Sequence, residues 1–223
     1  MLKPTAALAP SLLTLMPGEL ICERQPRRVS TILGSCVALC LWDKRLRFGG
    51  MNHFILPHRP SNEPESLRFG NVAIPALISR MSELGSHPRD LQAKLFGGAC
   101  VLATRAAEFS VGRRNVELAV SELRRHRIPI ISGRLAGNEG IVVVQCTACG
   151  EVRMRTIASS GGRENRHRQV MDLCLLSGSI DFSQLDGDHP QGSLVVRSRT
   201  FSPSVAACPL CASVPTARKP EWA

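Results

Sequence analysis

Tyrosine is missing from this chain, and aromatic residues make up only 4% of it, seven Phe and two Trp. Proteins that hold single-stranded nucleic acid stack bases on aromatic faces, so the shortage of rings argues against that class. No apolar run approaches the ~20 residues that a helix needs to cross a bilayer, and no membrane insertion is expected. The opening stretch MLKPTAALAPSLLTLMPGEL carries no recognisable secretory signal. Pro4, Pro10 and Pro17 interrupt its apolar part, and no small-residue cleavage site stands out. A reducing, cytoplasmic setting is therefore expected, with most of the nine cysteines as free thiols. No repeat with a period of about 20–50 residues is visible.

The chain has 223 residues, enough for one domain of roughly 150 residues with an extension and for a sizeable core. Its hydrophobic fraction of 43% and charged fraction of 21% are ordinary for a globular protein. The formal net charge is +10, yet from Ser159 onward seven Lys or Arg face six Asp or Glu. The positive excess thus lies on the expected folded part and not on a basic tail. Such a surface could meet an acidic protein, an anionic membrane or nucleic acid, or simply be solvated.

Residues 1–26 are Pro-rich and weakly patterned, and read as an N-terminal arm that could add an edge strand at 18–22. Residues 29–42 are apolar and rich in β-formers, with Gly34-Ser35 as an internal break. A polar, turn-like stretch at 43–47 leads through Gly49-Gly50 to a second strand at 51–56, which Pro57 ends. This predicts a β-hairpin. Asn71 can cap a helix with Pro75 in its first turn and Ile74, Leu77, Ile78 and Met81 on one face, and Gly85 is a natural stop. A strand at 91–96, an amphipathic helix at 113–125 and a strand at 128–131 follow. Two more strands, at 141–147 and 151–157, flank a short turn. The fold class expected is α/β in the α+β sense: one domain at 27–158 with a mixed central sheet and flanking helices. Residues 159–223 form a C-terminal extension that reads as mostly flexible, with a helical turn or two around 170–176.

The chemistry centres on LGSCVALCLWDKRLRFGGMNHFILP, residues 33–57. A thiol is a strong nucleophile once ionised, and a neighbouring His can take its proton and pass it to a leaving amine. A third group usually orients the ring. Cys36 and His53 are the candidate pair. Ser30 and Thr31 offer hydroxyls to orient the imidazole, and Gly34, Ser35 and Asn52 are candidates for substrate and oxyanion contacts. A hairpin loop centred between Lys44 and Arg45 would set the pair directly opposite, with Cβ atoms roughly 5 Å apart. A register two residues away would keep them within reach, across a bulge at Gly49-Gly50. Residue types and spacing leave two readings open, a catalytic dyad or two buried core residues. Cys40, among large apolar neighbours, reads as core.

Several segments taken in order resemble the CheD family of chemoreceptor glutamine deamidases. They are LGSCVALCLWD with GGMNHFILP, then RFGNVAIPALISRM, LQAKLFGGACVL and VGRRNVELAVSEL. Phe69 stands where that family usually has Tyr, and in LAGNEGI Ile141 stands where it usually has Arg. The resemblance covers about 18–157. It implies a Cys–His pair at Cys36 and His53, with an upstream hydroxyl residue as third member at Ser30 or Thr31. It also implies hydrolysis of a receptor glutamine amide to glutamate and ammonia through a Cys thioester, with no cofactor required for catalysis. The implied partners are the cytoplasmic parts of methyl-accepting chemotaxis receptors and, further, a chemotaxis phosphatase or response regulator. The alternative is a non-catalytic docking adaptor for those partners. A nucleic-acid partner is not expected.

Two CxxC pairs stand apart from this pattern. Cys146-Thr-Ala-Cys149-Gly150 and Cys208-Pro-Leu-Cys211 have the spacing of zinc knuckles. Together they could form a tetrahedral structural zinc site, or remain four ordinary thiols, since the spacer between them is long. Lys94, Arg113, Arg114 and Asn115 fall in the family-like segments and could position substrate or support loops.

Overall fold

The computed structural model describes residues 12–100 and 111–157, the backbone of 171–173 and 193–197, and Cys208 and Cys211. Two sheets form the body. The strands in chain order are β1 (Leu12–Thr14), β2 (Glu19–Cys22), β3 (Arg28–Leu33), β4 (Val37–Asp43), β5 (Phe48–Phe54), β6 (Leu91–Gly97), β7 (Ile130–Ala136), β8 (Ile141–Cys146), β9 (Val152–Thr156), β10 (Met171–Leu173) and β11 (Ser193–Arg197). The helices are α1 (Gly70–Glu83) and α2 (Val111–Arg125). The smaller sheet runs β1-β3-β8-β9 and the larger one β10-β11-β7-β6-β4-β5-β2. The larger is mixed: β6 and β7 are parallel, while β4 is antiparallel to both neighbours.

Apolar alternation explains the layering. On one face of the larger sheet Val37, Leu39, Leu41 and Phe54 pack against Ile74, Leu77 and Met81 of α1 and Val116, Ala119 and Leu123 of α2. On the other face Ala38, Cys40, Met51 and Phe96 meet Val29, Leu33, Ile141 and Val143 of the smaller sheet. The fold class is thus the expected α+β arrangement, with one difference. The apolar stretch at 29–42 is two strands in two sheets, and the Gly34–Cys36 segment is the crossover between them.

The β4–β5 hairpin turns over the four residues 44–47. Buried Asp43 holds that turn, its Oδ1 accepting from the amides of Arg45 (2.8 Å) and Leu46 (2.7 Å). Helix α1 begins earlier than Asn71, and Pro75 lies within it instead of in the first turn. No side chain caps its start: the amides of Gly70 and Asn71 donate to the carbonyls of Leu56 and Pro57, so the chain after β5 does the capping. Gly85, at φ +92°, ends the helix where a side chain would be strained.

The stretch expected as an arm contributes two strands: β1 pairs with β3, and β2 forms an edge of the larger sheet beside β5. At 171–173 the structure has a strand, not a helical turn. The rest of the expected flexible extension falls largely outside the described residues. Among the described residues no helix is long and apolar enough to cross a membrane.

Candidate active site

Ladder register places the pair. Val37 faces Phe54 and Ala38 faces His53, so Cys36, two residues before Ala38, is a diagonal neighbour of His53 and not its direct opposite. The expected opposition fails because the turn lies one residue further along than a centre between Lys44 and Arg45. No bulge interrupts the β4–β5 ladder. Diagonal Cβ atoms on one face lie about 7–8 Å apart or somewhat less, within reach of an imidazole. Both residues face the layer between the sheets, where Cys36 packs beside Ala38 and Cys40.

Thr31 reaches that layer from the smaller sheet. Its Oγ1 donates to the Leu15 carbonyl at 2.8 Å and lies 2.8 Å from His53 Nδ1. A hydroxyl has one proton, and here Leu15 receives it, so Nδ1 must be the donor to Thr31. The His53 tautomer is thereby fixed with its proton on Nδ1. Nε2 then bears a lone pair, is buried, and has no hydrogen-bond partner among the described residues. Such an orphaned acceptor costs stability and asks for a reason.

Neighbouring Ser30 points the other way, as alternation along β3 requires. Its hydroxyl lies 3.4 Å from the Leu13 carbonyl and 3.4 Å from Thr14 Oγ1. Of the two hydroxyls considered for the ring, only Thr31 meets it.

Burial controls the charges. It pushes the His53 imidazole down to about 4, against weaker upward pulls from the Leu15 carbonyl and the Glu19 carboxylate. It also raises the Cys36 thiol, while the residue's own amide acts in the opposite direction. The resting pair is therefore a neutral thiol and a neutral imidazole. No hydrogen bond joins them, a loose geometry common in sites without substrate. Cys40 makes the contrast: fully enclosed, its thiol is pushed up to about 12 by burial, whereas Cys36 is partly open to solvent.

The Cys36 segment is held from behind. The amides of Gly98 and Ala99 donate to the carbonyls of Cys36 and Gly34, each at 2.8 Å. A Cβ on Gly97 would stand 2.1 Å from the Cys36 carbonyl oxygen, so only glycine allows this approach. Asn115, buried in α2, donates through Nδ2 to the carbonyls of Ser35 (3.0 Å) and Ile55 (2.7 Å). One side chain thus ties the segment bearing Cys36 to the end of the strand bearing His53. The first turn of α2 also packs here, since a Cβ on Gly112 would meet the Gly98 carbonyl at 2.5 Å. A helix N-terminus favours negative charge nearby.

Gly34 and Ser35 precede Cys36 in the crossover between the sheets, but Asn52 does not join them. It is an adjacent strand residue to His53 and faces the helices, where Oδ1 accepts from the Leu39 amide (3.2 Å) and Nδ2 donates to the Ala73 carbonyl (2.8 Å). Ile141, where Arg is usual in the resembled pattern, is buried between the sheets. The Leu15 carbonyl was not anticipated, because its segment read as an arm. The double glycine closing β6 was the local sign of the close approach behind Cys36. Lys94 supports a distant turn, with Nζ donating to the Gly150 carbonyl at 2.7 Å. The four CxxC cysteines, by contrast, come together at the end of β8 and include neither Cys36 nor His53.

Comparison with known proteins agrees with the resemblance. A family model described as CheD chemotactic sensory transduction matches residues 55–156. A Rhodospirillum rubrum protein named probable chemoreceptor glutamine deamidase CheD is 49% identical over 146 residues, covering 66% of this chain and 82% of that one. Its Trichlorobacter lovleyi namesake is 38% identical over 138 residues, 62% of this chain and 86% of that one. A Methanococcus maripaludis protein of the same name is 35% identical over 140 residues, 62% of this chain and 91% of its own.

Proposed function

This chain belongs to the CheD family, and on that premise we propose that it hydrolyses glutamine side-chain amides of chemoreceptors, with Cys36 as nucleophile and His53 as proton carrier. The observation that carries the residue assignment is the buried, tautomer-fixed imidazole whose Nε2 lacks a partner on the sheet face shared with Cys36. A general base needs an available lone pair, and this ring offers one at neutral pH because burial keeps it uncharged.

The chemistry follows from that state. His53 Nε2 takes the Cys36 proton as Sγ attacks the amide carbon, and the oxygen gains negative charge. The Cys36 amide, which favours negative charge on its own sulfur, is the donor this reading assigns to that oxygen. The C–N bond then breaks, His53 delivers its proton to the departing nitrogen, and ammonia leaves a thioester on Cys36. Water, deprotonated by the same Nε2, attacks the thioester. Glutamate forms and the thiol is regenerated. One amide and one water become one carboxylic acid and one ammonia. During the charged steps the Nδ1–H···Thr31 bond keeps the ring aimed.

The receptor region presented would be its cytoplasmic part, with this protein acting in the same compartment. The positive excess before Ser159 suits an acidic receptor surface and raises the encounter rate. Docking of a chemotaxis phosphatase or response regulator on the same body is the further partnership in this reading. Trapping the intermediate tests the assignment. Acid quenching during turnover of a receptor cytoplasmic fragment should leave receptor mass attached to the Cys36-containing peptide. Turnover with the acyl group found on another cysteine, or with none on any, would defeat it.

A further inference from the structure

Cys146 closes β8 and Cys149 stands in the turn before β9, so the sheet fixes the first CxxC pair. The second pair, Cys208 and Cys211, meets it from far along the chain. All four residues are buried, and their sulfurs lie within 4.8 Å of one another. Cys146 Sγ is 3.8 Å from Cys208 Sγ, and Cys149 Sγ is 3.4 Å from Cys211 Sγ. These are not disulfides, whose sulfurs lie about 2.05 Å apart. Nor is this an apolar cluster that happens to contain sulfur. Among the described residues Ala148 is the only apolar side chain that packs on it besides the cysteines themselves. Each pair is closed by a short backbone bond: Gly150 N donates to the Cys146 carbonyl four residues back (2.9 Å), and Cys211 N to the Cys208 carbonyl three residues back (3.0 Å).

Four thiolates around one ion at about 2.3 Å have sulfur–sulfur edges of about 3.8 Å. The observed spacing fits that tetrahedron, whereas a cluster of several irons would hold its sulfurs farther apart. We propose that Cys146, Cys149, Cys208 and Cys211 bind one Zn²⁺ ion that clasps the C-terminal segment onto the end of β8. Four thiolates with one Zn²⁺ carry two net negative charges. The Lys94 ammonium, whose Nζ holds the carbonyl of the residue after Cys149, lies close enough to offset part of that charge.

The clasp is structural and not catalytic. Its turn rests on Trp42, since a Cβ on Gly150 would meet that ring at 2.6 Å. Trp42 is at the opposite end of β4 from Cys36, roughly 20 Å away at about 3.3 Å per residue. Four protein ligands also complete the tetrahedron and leave no position for substrate.

The test is the metal content of the full chain, purified without added metal and without a metal-affinity column. Elemental analysis should find about one zinc per chain, released when a mercurial titrates the thiols. Cys149→Ser with Cys211→Ser should abolish the zinc and speed proteolytic cleavage between 157 and 208 several-fold. Wild-type protein without stoichiometric zinc, iron in its place, two disulfides in protein kept under reductant, or full zinc in the double variant would overturn the proposal. Should the double variant not fold, zinc content and mercurial release in the wild type still decide. Neither readout uses deamidation, so failure here is separate from failure of the active-site reading.

Discussion

Replacing Thr31 by Val isolates the orienting bond. The side chains are nearly equal in size, so packing between the sheets is kept and only the hydroxyl is lost. That hydroxyl makes two hydrogen bonds of 2.8 Å, to His53 Nδ1 and to the Leu15 carbonyl. Leaving a buried polar group unpaired costs about 1–3 kcal/mol, so stability should fall by about 2 kcal/mol. The catalytic effect is separate. With the Thr31 acceptor gone, the proton is held less firmly on Nδ1, and the ring can carry it on Nε2, where it blocks general-base action. We expect kcat to drop about 100-fold, equivalent to about 2.7 kcal/mol of barrier. Thr31→Ser keeps the hydroxyl and should stay within a few-fold of wild type. Ser30→Ala, altered on the far face of β3, should be unchanged. Ammonia release from a receptor fragment at saturating substrate gives kcat, and urea unfolding gives stability. A Thr31→Val enzyme with wild-type kcat would refute the reasoning, as would a Thr31→Ser enzyme as slow as the Val variant.

Other outcomes follow from the same contacts. Gly97→Ala places a Cβ 2.1 Å from the Cys36 carbonyl at a φ of +105°, so it should abolish activity or prevent folding, visible as lost turnover with a lowered melting temperature. Asn115→Leu removes both ties to Ser35 and Ile55. It should destabilise the fold by about 1–3 kcal/mol in urea and lower kcat more than it raises KM. Acid should weaken the fold through His53, held at about 4 when folded against 6.5 for its ordinary value. Between those values the unfolded chain binds a proton that the folded chain refuses. This contribution is therefore complete above about pH 6.5 and is lost toward pH 4, about 3 kcal/mol in all. Urea titrations across that range should show a shallower decline for His53→Gln.

Much of the fold was legible because its signals are local. The β4–β5 hairpin shows in two apolar runs around a polar turn, and α1 shows in its apolar spacing and the glycine that stops it. What was not legible depends on partners distant in sequence. Residues 29–42 read as one strand because nothing local says that β3 pairs with β8, more than a hundred residues later. Choosing Thr31 over Ser30 required knowing which face of β3 is inside. Val29 and Leu33 are buried while Ile32 is 63% exposed, and that alternation puts Thr31 inward once β3 is seen as a strand of its own. Asn52 was misplaced for the related reason that its neighbour His53 faces the opposite layer. Pro75 looked like a first-turn residue because the carbonyls that cap α1 come from Leu56 and Pro57, not from a capping side chain. Cys36 and His53 could be named from sequence, but the fixed tautomer and the orphaned Nε2 needed the two sheets to be brought together.

The most direct test compares wild type, Cys36→Ala and His53→Ala on one chemoreceptor cytoplasmic fragment, following glutamine-to-glutamate conversion by peptide mass with ammonia measured alongside. The wild type should show matched conversion and ammonia release. Cys36→Ala should give none, and His53→Ala should be slower by at least about 1,000-fold. Conversion that persists in Cys36→Ala, or a His53→Ala enzyme close to wild type, would contradict the assignment of this pair.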